Sequence, residues 1–224
     1  FLINIKQKKI PLILLNARIT KRSFKKWKKI PQFSKIIFEC FNQALAQNTE
    51  TKNYLNRLGL KKVKLLGNLK FTETKIRTKK TLNESVKKFF KLKKTWCASS
   101  THDNEEITSA IAHKSLKKKY KNLITIIIPR HIHRVDSINK EMENLGLITH
   151  LHSSKNKIKK DTEIYIVDTY GDTEKFFNIC KTVFLGGSLI KHGGQNPLEP
   201  ARLGCKIIHG PNVNNFKEIY GLLD

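Results

Sequence analysis

Residues 184–211, FLGGSLIKHGGQNPLEPARLGCKIIHGP, decide the fold class, because they hold one whole strand–loop–helix–strand unit. An apolar strand closes on Gly186-Gly187-Ser188, and a polar loop with a second diglycine, Gly193-Gly194, follows. Asn196-Pro197-Leu198-Glu199 then reads as a helix start. Asn is a good N-cap, Pro suits the first helical position, and a carboxylate near the third is stabilised there. Gly204 stops that helix, and 206–209 is the next strand.

The same alternation runs outward from this unit. Short apolar strands are expected at 11–16, 43–48, 63–66, 96–99, 123–128, 148–152, 164–167 and 183–185. Helical patterns follow from Ser23 and over 50–58, 104–119, 135–144, 173–180, 197–203 and 215–222. Strands apolar on both faces, each followed by a helix, predict a doubly wound parallel α/β sheet. Residues 72–94 break the rhythm, being polar, rich in Lys and Thr, and without a strand. They are expected to link two domains, 1–71 and 95–224, each Rossmann-like and facing the other across a cleft.

The chain has 224 residues and 39% hydrophobic content, enough for one large core or two small ones. It opens in mid-element, and its only methionine is Met142, so it reads as a piece of a longer protein with an incomplete first domain. No apolar run is long enough to span a membrane, and no signal-peptide pattern is present. The net charge of +26 comes mostly from lysines scattered along the chain. A nucleic-acid binder usually concentrates such charge and interleaves it with aromatics or Arg, so no nucleic-acid partner is expected. Solvated lysine faces are the ordinary reading, and some of the charge can meet an anionic membrane surface. Cys40, Cys97, Cys180 and Cys205 form no metal-ligand spacing, and the pairs His131/His133 and His150/His152 lack partner ligands in sequence. Neither a metal nor a cofactor is expected.

Ligands of open α/β sheets sit beyond the carboxyl ends of the strands. The residues found there include Gly67 to Lys70, Ser99 to His102, Pro129-Arg130-His131, Asp168 to Asp172 and the Gly186 loop. They are polar, rich in glycine and supplied with cations, which suits an anionic ligand. Arg130, emerging after a strongly apolar strand, can take a phosphate or carboxylate bidentately, or can pair with a nearby acid. Lys70 carries the same two readings. The diglycines can offer N–H groups and a helix N-terminus to a phosphate. Glu199 can either accept hydrogen bonds from a ribose diol or only cap its own helix. Asp103 and Glu106 have capping-box spacing, and that structural role is expected of them.

Taken together, NARITKRS (16–23), GNLKF (67–71), SSTHDNEE (99–106), PRH (129–131), DTYGD (168–172) and GGSLIKHGGQNPLEPARLG (186–204) resemble the 3-deoxy-D-manno-octulosonic acid (Kdo) transferase family. The resemblance is collinear and covers nearly the whole chain. It implies a GT-B architecture, two Rossmann-like domains with the nucleotide held by the second. It further implies a glycosyltransferase moving Kdo from CMP-Kdo to a lipid A precursor in lipopolysaccharide synthesis. Its setting would be the cytoplasmic face of the inner membrane, with any anchor in a missing N-terminal part. By motif, Pro129, Arg130, Tyr170, Gly171, Asp172, Asn196, Pro197, Leu198 and Glu199 would contact CMP. Lys70 would stabilise charge in the transition state. The family usually has Met-Gly-Glu where this chain has Tyr170-Gly171-Asp172, and His in place of Gln195; main-chain contacts survive both changes. Its catalytic base, an early Glu, is not in this chain, so this piece alone is expected to be inactive. Competing readings are another GT-B nucleotide-sugar glycosyltransferase or epimerase, separable by preference for a uridine nucleotide, and a basic nucleic-acid binder, separable by salt-steep binding.

Overall fold

Short apolar strands, each followed by a helix, build two parallel sheets in the computed structural model, which describes residues 1–67 and 81–223. The chain divides into two compact units, Phe1–Ile76 and Arg77–Asp224. In the first unit, β1 (Ile13–Ala17), β2 (Gln43–Ala46) and β3 (Val63–Leu65) pair in parallel in that order. Around them run α1 (Leu2–Gln7), α2 (Lys21–Lys28), α3 (Pro31–Phe38) and α4 (Thr49–Arg57). The basic stretch from Ser23 divides into α2 and α3 because Pro31, at the start of α3, cannot continue a helix. Thr20 and Asn48 cap α2 and α4, accepting from Ser23 N at 3.2 Å and Thr51 N at 2.8 Å. One core holds the unit together, with Phe24, Phe38, Ala44, Leu55 and Leu60 buried in it. Burial on both strand faces was expected here, but Ile13 and Leu15 of β1 lie on an exposed face. The reason is that α2, α3 and α4 all pack into this one core while α1 buries none of its residues.

The second unit begins with α5 (Glu84–Phe90), then β4 (Lys94–Thr101), α6 (Glu105–Lys119), β5 (Leu123–Pro129) and α7 (Val135–Asn144). It continues through β6 (Thr149–Leu151), β7 (Ile164–Ile166), α8 (Thr173–Phe177), β8 (Thr182–Leu185), α9 (Leu198–Arg202), β9 (Lys206–His209) and α10 (Lys217–Tyr220). The strands pair in parallel in the order β6-β7-β5-β4-β8-β9. β5 shows why the sheet is covered twice. Ile124, Ile126 and Ile128 enter one core with Tyr165 and Phe176, whereas Ile127 enters the other with Ile138 and Met142. Residues 81–94 belong to this unit. Leu82, Val86 and Phe90 are buried in its first core, and the Phe90 ring meets that of Tyr165 at 5.1 Å. The unit therefore starts at Arg77 and not at 95; of the expected linker, 72–80 lies outside the described residues. All four cysteines are buried and unpaired.

The second unit also buries a histidine. His113, on α6, is completely inaccessible and its Nδ1 lies 2.8 Å from Thr125 Oγ1, with Glu163 Oε1 3.7 Å from Nε2. Burial, against the pull of Glu163, holds its pKa below the ordinary value, and burial does the same to His150 and His152. Below about pH 6.5 the unfolded chain takes up protons that these imidazoles refuse, so inaccessible His113 costs at most about 1.4 kcal/mol per pH unit until its folded pKa is reached, and the part-exposed His150 and His152 cost less. Thermal melts should be flat from pH 8 to 7 and fall from 6.5 to 5.5. A fall that His113→Gln leaves untouched would show that His113 plays no part in it.

Candidate functional site

The second sheet reverses direction between β4 and β8. From β4 the chain builds outward through β5 to β7 and β6, then returns to the other side of β4 as β8. Open α/β sheets bind ligands in the crevice at such a point. At the end of β4, Ser100 has φ +54° and the register slips, so Thr101 faces Pro129 of β5. Thr101 O then accepts from Arg130 N at 3.0 Å. Beyond β8 come the glycines. A Cβ on Gly186 would stand 2.4 Å from Ser100 O, so only glycine lets this loop lie against the end of β4.

The N–H groups of that loop already have an acceptor. Glu105, in the first turn of α6 and 1% exposed, accepts from Gly187 N at 2.7 Å, Ser188 N at 3.1 Å and Leu189 N at 3.0 Å, and from His102 N at 2.9 Å. The first diglycine thus cradles an anion, but the anion is a side chain of the protein. This corrects the reading that these N–H groups serve a phosphate. The expected capping box is corrected too. Asn104, at φ +68°, precedes α6 without a side-chain cap. Glu106, fully buried, and exposed Asp103 both bind Arg134, at 2.9 Å and 3.0 Å. Each carboxylate of this acidic turn has a tertiary partner.

The second diglycine is structural in the same sense. Gly193 and Gly194 have φ +103° and +79°, Gly194 N donates to Gly187 O at 2.8 Å, and Asn215 N donates to Gly193 O at 3.0 Å. These bonds fold the loop back and deliver Gln195 to His102, with Nε2 to Nε2 at 3.4 Å. Asn196 is not the N-cap expected of it, and Pro197 is not the first helical residue. The Asn196 Oδ1 accepts from Leu198 N at 3.2 Å, Pro197 stands at the N-cap, and α9 runs Leu198–Arg202. Glu199 lies exposed in its first turn.

Arg130 is exposed past β5, while Pro129 is buried in the strand. Tyr170 is 82% exposed and Gly171 turns the chain at φ +80°. Asp172 is engaged by its own loop. Its carboxylate accepts from Thr169 Oγ1 at 2.5 Å and pairs with Lys175 at 2.6 Å. Partial burial opposes its ionisation, yet the Lys175 and Thr169 hydrogen bonds hold its pKa below the usual carboxylate value. So the residues following β5 and β8 both adjoin the end of β4, through Thr101 and His102. Those following β7 stand one strand further out. Lys70 lies outside the described residues. Reading the sequence missed Glu105 and Arg134, and gave Glu106 the role of a cap. A run of Asp-Asn-Glu-Glu directly after a strand was the one available signal.

A family model described as 3-deoxy-D-manno-octulosonic-acid transferase (kdotransferase) matches residues 1–73. A 3-deoxy-D-manno-octulosonic acid transferase of Rickettsia bellii is 34% identical over 97% of this chain and 52% of its own length. The transferase of the same name in Haemophilus influenzae is 30% identical over 96% of this chain and 51% of its own. The chain spans about half the length of these relatives. Among solved structures, the C-terminal CMP-Kdo binding domain of WaaA from Acinetobacter baumannii is 32% identical, with a TM-score of 0.54, covering 59% of this chain and 69% of that domain.

Proposed function

We propose, from the premise that this chain belongs to the 3-deoxy-D-manno-octulosonic acid (Kdo) transferase family, that its second unit holds the CMP moiety of CMP-Kdo for transfer of Kdo to a lipid A precursor. One observation carries the reading. The Pro129-Arg130 segment and Gln195, the residue just before Asn196 to Glu199, meet the end of β4 from opposite sides, through Arg130 N on Thr101 O at 3.0 Å and Gln195 on His102 at 3.4 Å. That is the crevice of the chain reversal, where a nucleotide belongs. The solved relative is titled a CMP-Kdo binding domain and aligns with 59% of this chain, which supports the assignment.

The chemistry follows from the groups present. Displacement at the anomeric carbon frees CMP, whose phosphate gains charge as the bond breaks. Exposed Arg130 is the cation proposed to meet that charge. Lys70 is proposed to stabilise the transition state in the same sense. No residue of this chain is proposed as the base on the acceptor hydroxyl. Tyr170 and Gly171 are proposed to contact CMP through main chain, because the Asp172 carboxylate is held by Lys175 and Thr169.

The acceptor side is proposed to work at the cytoplasmic face of an anionic inner membrane. Lys21, Arg22, Lys25, Lys26 and Lys29 line one surface depression of about 470 Å³, and Ile30, Phe33 and Ile36 nearby are about half exposed. Cations beside accessible apolar groups suit a charged lipid surface. No helix among the described residues is long and apolar enough to cross a membrane.

Calorimetric titration with CMP and UMP tests the donor reading, which expects CMP to bind and UMP to bind far more weakly. Glu199→Gln should weaken CMP by about 1.5–3 kcal/mol if the carboxylate holds the ribose diol. Deoxycytidine monophosphate should be much less sensitive to the change, since one hydroxyl is already gone. Equal CMP affinity of both proteins would leave Glu199 a helix residue only.

A further inference from the structure

Three imidazoles from three loops converge at the chain reversal. His102 follows β4, His131 follows β5, and His192 sits in the loop between β8 and α9. The His102 and His192 ring centroids are 4.4 Å apart, and His131 stands edge-on to His102 at 5.9 Å. His133 stacks on His131 at 5.5 Å, and the Gln195 amide approaches His102 Nε2 at 3.4 Å. His131 and His192 are exposed, so packing does not explain why three rings gather here.

The surroundings of His102 are mostly unfavourable to a positive ring. Burial, His192, His131 and Arg134 all disfavour its protonation, and Glu105 alone favours it. The Glu105 carboxylate is already engaged by four main-chain N–H groups. A group of weak bases crowded together without its own counter-ion becomes cationic when an anion arrives from outside. Among the described residues no three His, Cys, Asp or Glu side chains are placed to hold a metal ion, which favours an anion over a cation as the occupant.

We propose that His102, His131 and His192 form an oxyanion subsite that grips the phosphodiester of the nucleotide donor and takes up a proton as it does so. The proposal rests on the donor-site reading above and adds its electrostatic partner. Arg130 supplies a fixed charge at the same crevice; His102, whose protonation its surroundings oppose, supplies one that appears with the ligand. The crevice thereby avoids a standing concentration of positive charge beside Arg134 and Arg130, and gains charge when the phosphate is bound.

The probe is cytidine 5′-methylphosphate, a phosphodiester like the donor, whose single charge does not titrate near neutrality. Its calorimetric affinity for the whole chain should rise several-fold from pH 8.0 to 6.0, within the limit of about tenfold that a one-unit rise in one imidazole pKa sets. Uncharged cytidine should bind equally at both. His192→Asn should reduce that rise to within about twofold while leaving cytidine affinity as it was, and His102→Asn should reduce it as well; His192 is exposed, so its variant should fold normally. A methylphosphate affinity independent of pH overturns the subsite and leaves the donor site standing. Binding of neither compound at any pH overturns the donor site and the subsite together. Zinc binding at one equivalent that excludes the methylphosphate would make the cluster a metal site and overturn the proposal as well.

Discussion

Glu105→Ala is expected to cost the second unit about 4 kcal/mol of stability or more, since it removes an ionised acceptor from several buried N–H groups at once. The carboxylate is 1% exposed and accepts from His102, Gly187, Ser188 and Leu189, all within 3.1 Å. A single hydrogen bond to a charged group is worth about 1.5–3 kcal/mol, and water filling the cavity would recover only part of four. Glu105→Gln should fare little better, because one of its two polar atoms is a donor facing donors. The functional effect follows from position. The loop held by Glu105 is tied to the second diglycine by Gly194 N on Gly187 O at 2.8 Å, and so leads to Gln195 and α9. CMP affinity should therefore fall together with stability. Urea unfolding of the wild type and both variants measures the first effect, and calorimetry at a temperature where all are folded measures the second. A loss below about 1 kcal/mol would mean that water satisfies the loop as well as the carboxylate does.

That arrangement also marks the limit of what the sequence discloses. Periodicity and caps are local, and local features were legible. β9 and α7 run over Lys206–His209 and Val135–Asn144 as the pattern predicts. The strand expected at 123–128 is longer by only Pro129. Glycine spacing near 186 correctly announced a tight approach of backbone to something anionic. It could not say that the anion is Glu105, more than 80 residues earlier, because that pairing is made by β4 and β8 lying side by side. The same holds for Asp103 and Glu106. In sequence their spacing is that of a cap; in space a 3₁₀ turn at Ile132–Arg134 brings a guanidinium to both. α1 escaped notice for the opposite reason, as none of its residues is buried and no apolar stripe betrays it.

Arg134→Met is the second variant expected to do large damage, about 3–5 kcal/mol, the cost of leaving a buried charge without its partner. Glu106 is fully buried, and Arg134 reaches both of its oxygens, at 2.9 Å and 3.3 Å, while holding Asp103 at 3.0 Å. Burial works against the Arg134 charge, but Glu106, Asp103 and Glu141 raise its pKa above the ordinary value. Lysine is a poor substitute, because one ammonium cannot match a planar fork that spans three oxygens. If the damage comes from the orphaned carboxylate, then adding Glu106→Gln to Arg134→Met should restore most of the loss, because a neutral amide is far cheaper to bury than a charge. pH provides an independent check. Burial and the neighbouring Glu106 already hold the Glu141 carboxyl above the usual range, with Arg134 opposing them. A carboxyl with a raised folded pKa penalises the native state once pH exceeds its unfolded value, and the penalty lessens as pH falls back toward about 4.3. Without Arg134 this penalty grows, so the gap between variant and wild type should narrow from pH 7 to pH 5. His113, His150 and His152 weaken both proteins over that interval, whereas His102, whose protonation Arg134 opposes, titrates more readily in the variant and narrows the gap in the same direction. His131 immediately precedes this turn. The single variant should accordingly lose the pH dependence of methylphosphate binding, and the double variant should regain it if the turn closes again. A deficit that neither Glu106→Gln nor acid repairs would trace the damage to lost packing of the arginine stem, with the charge playing no part.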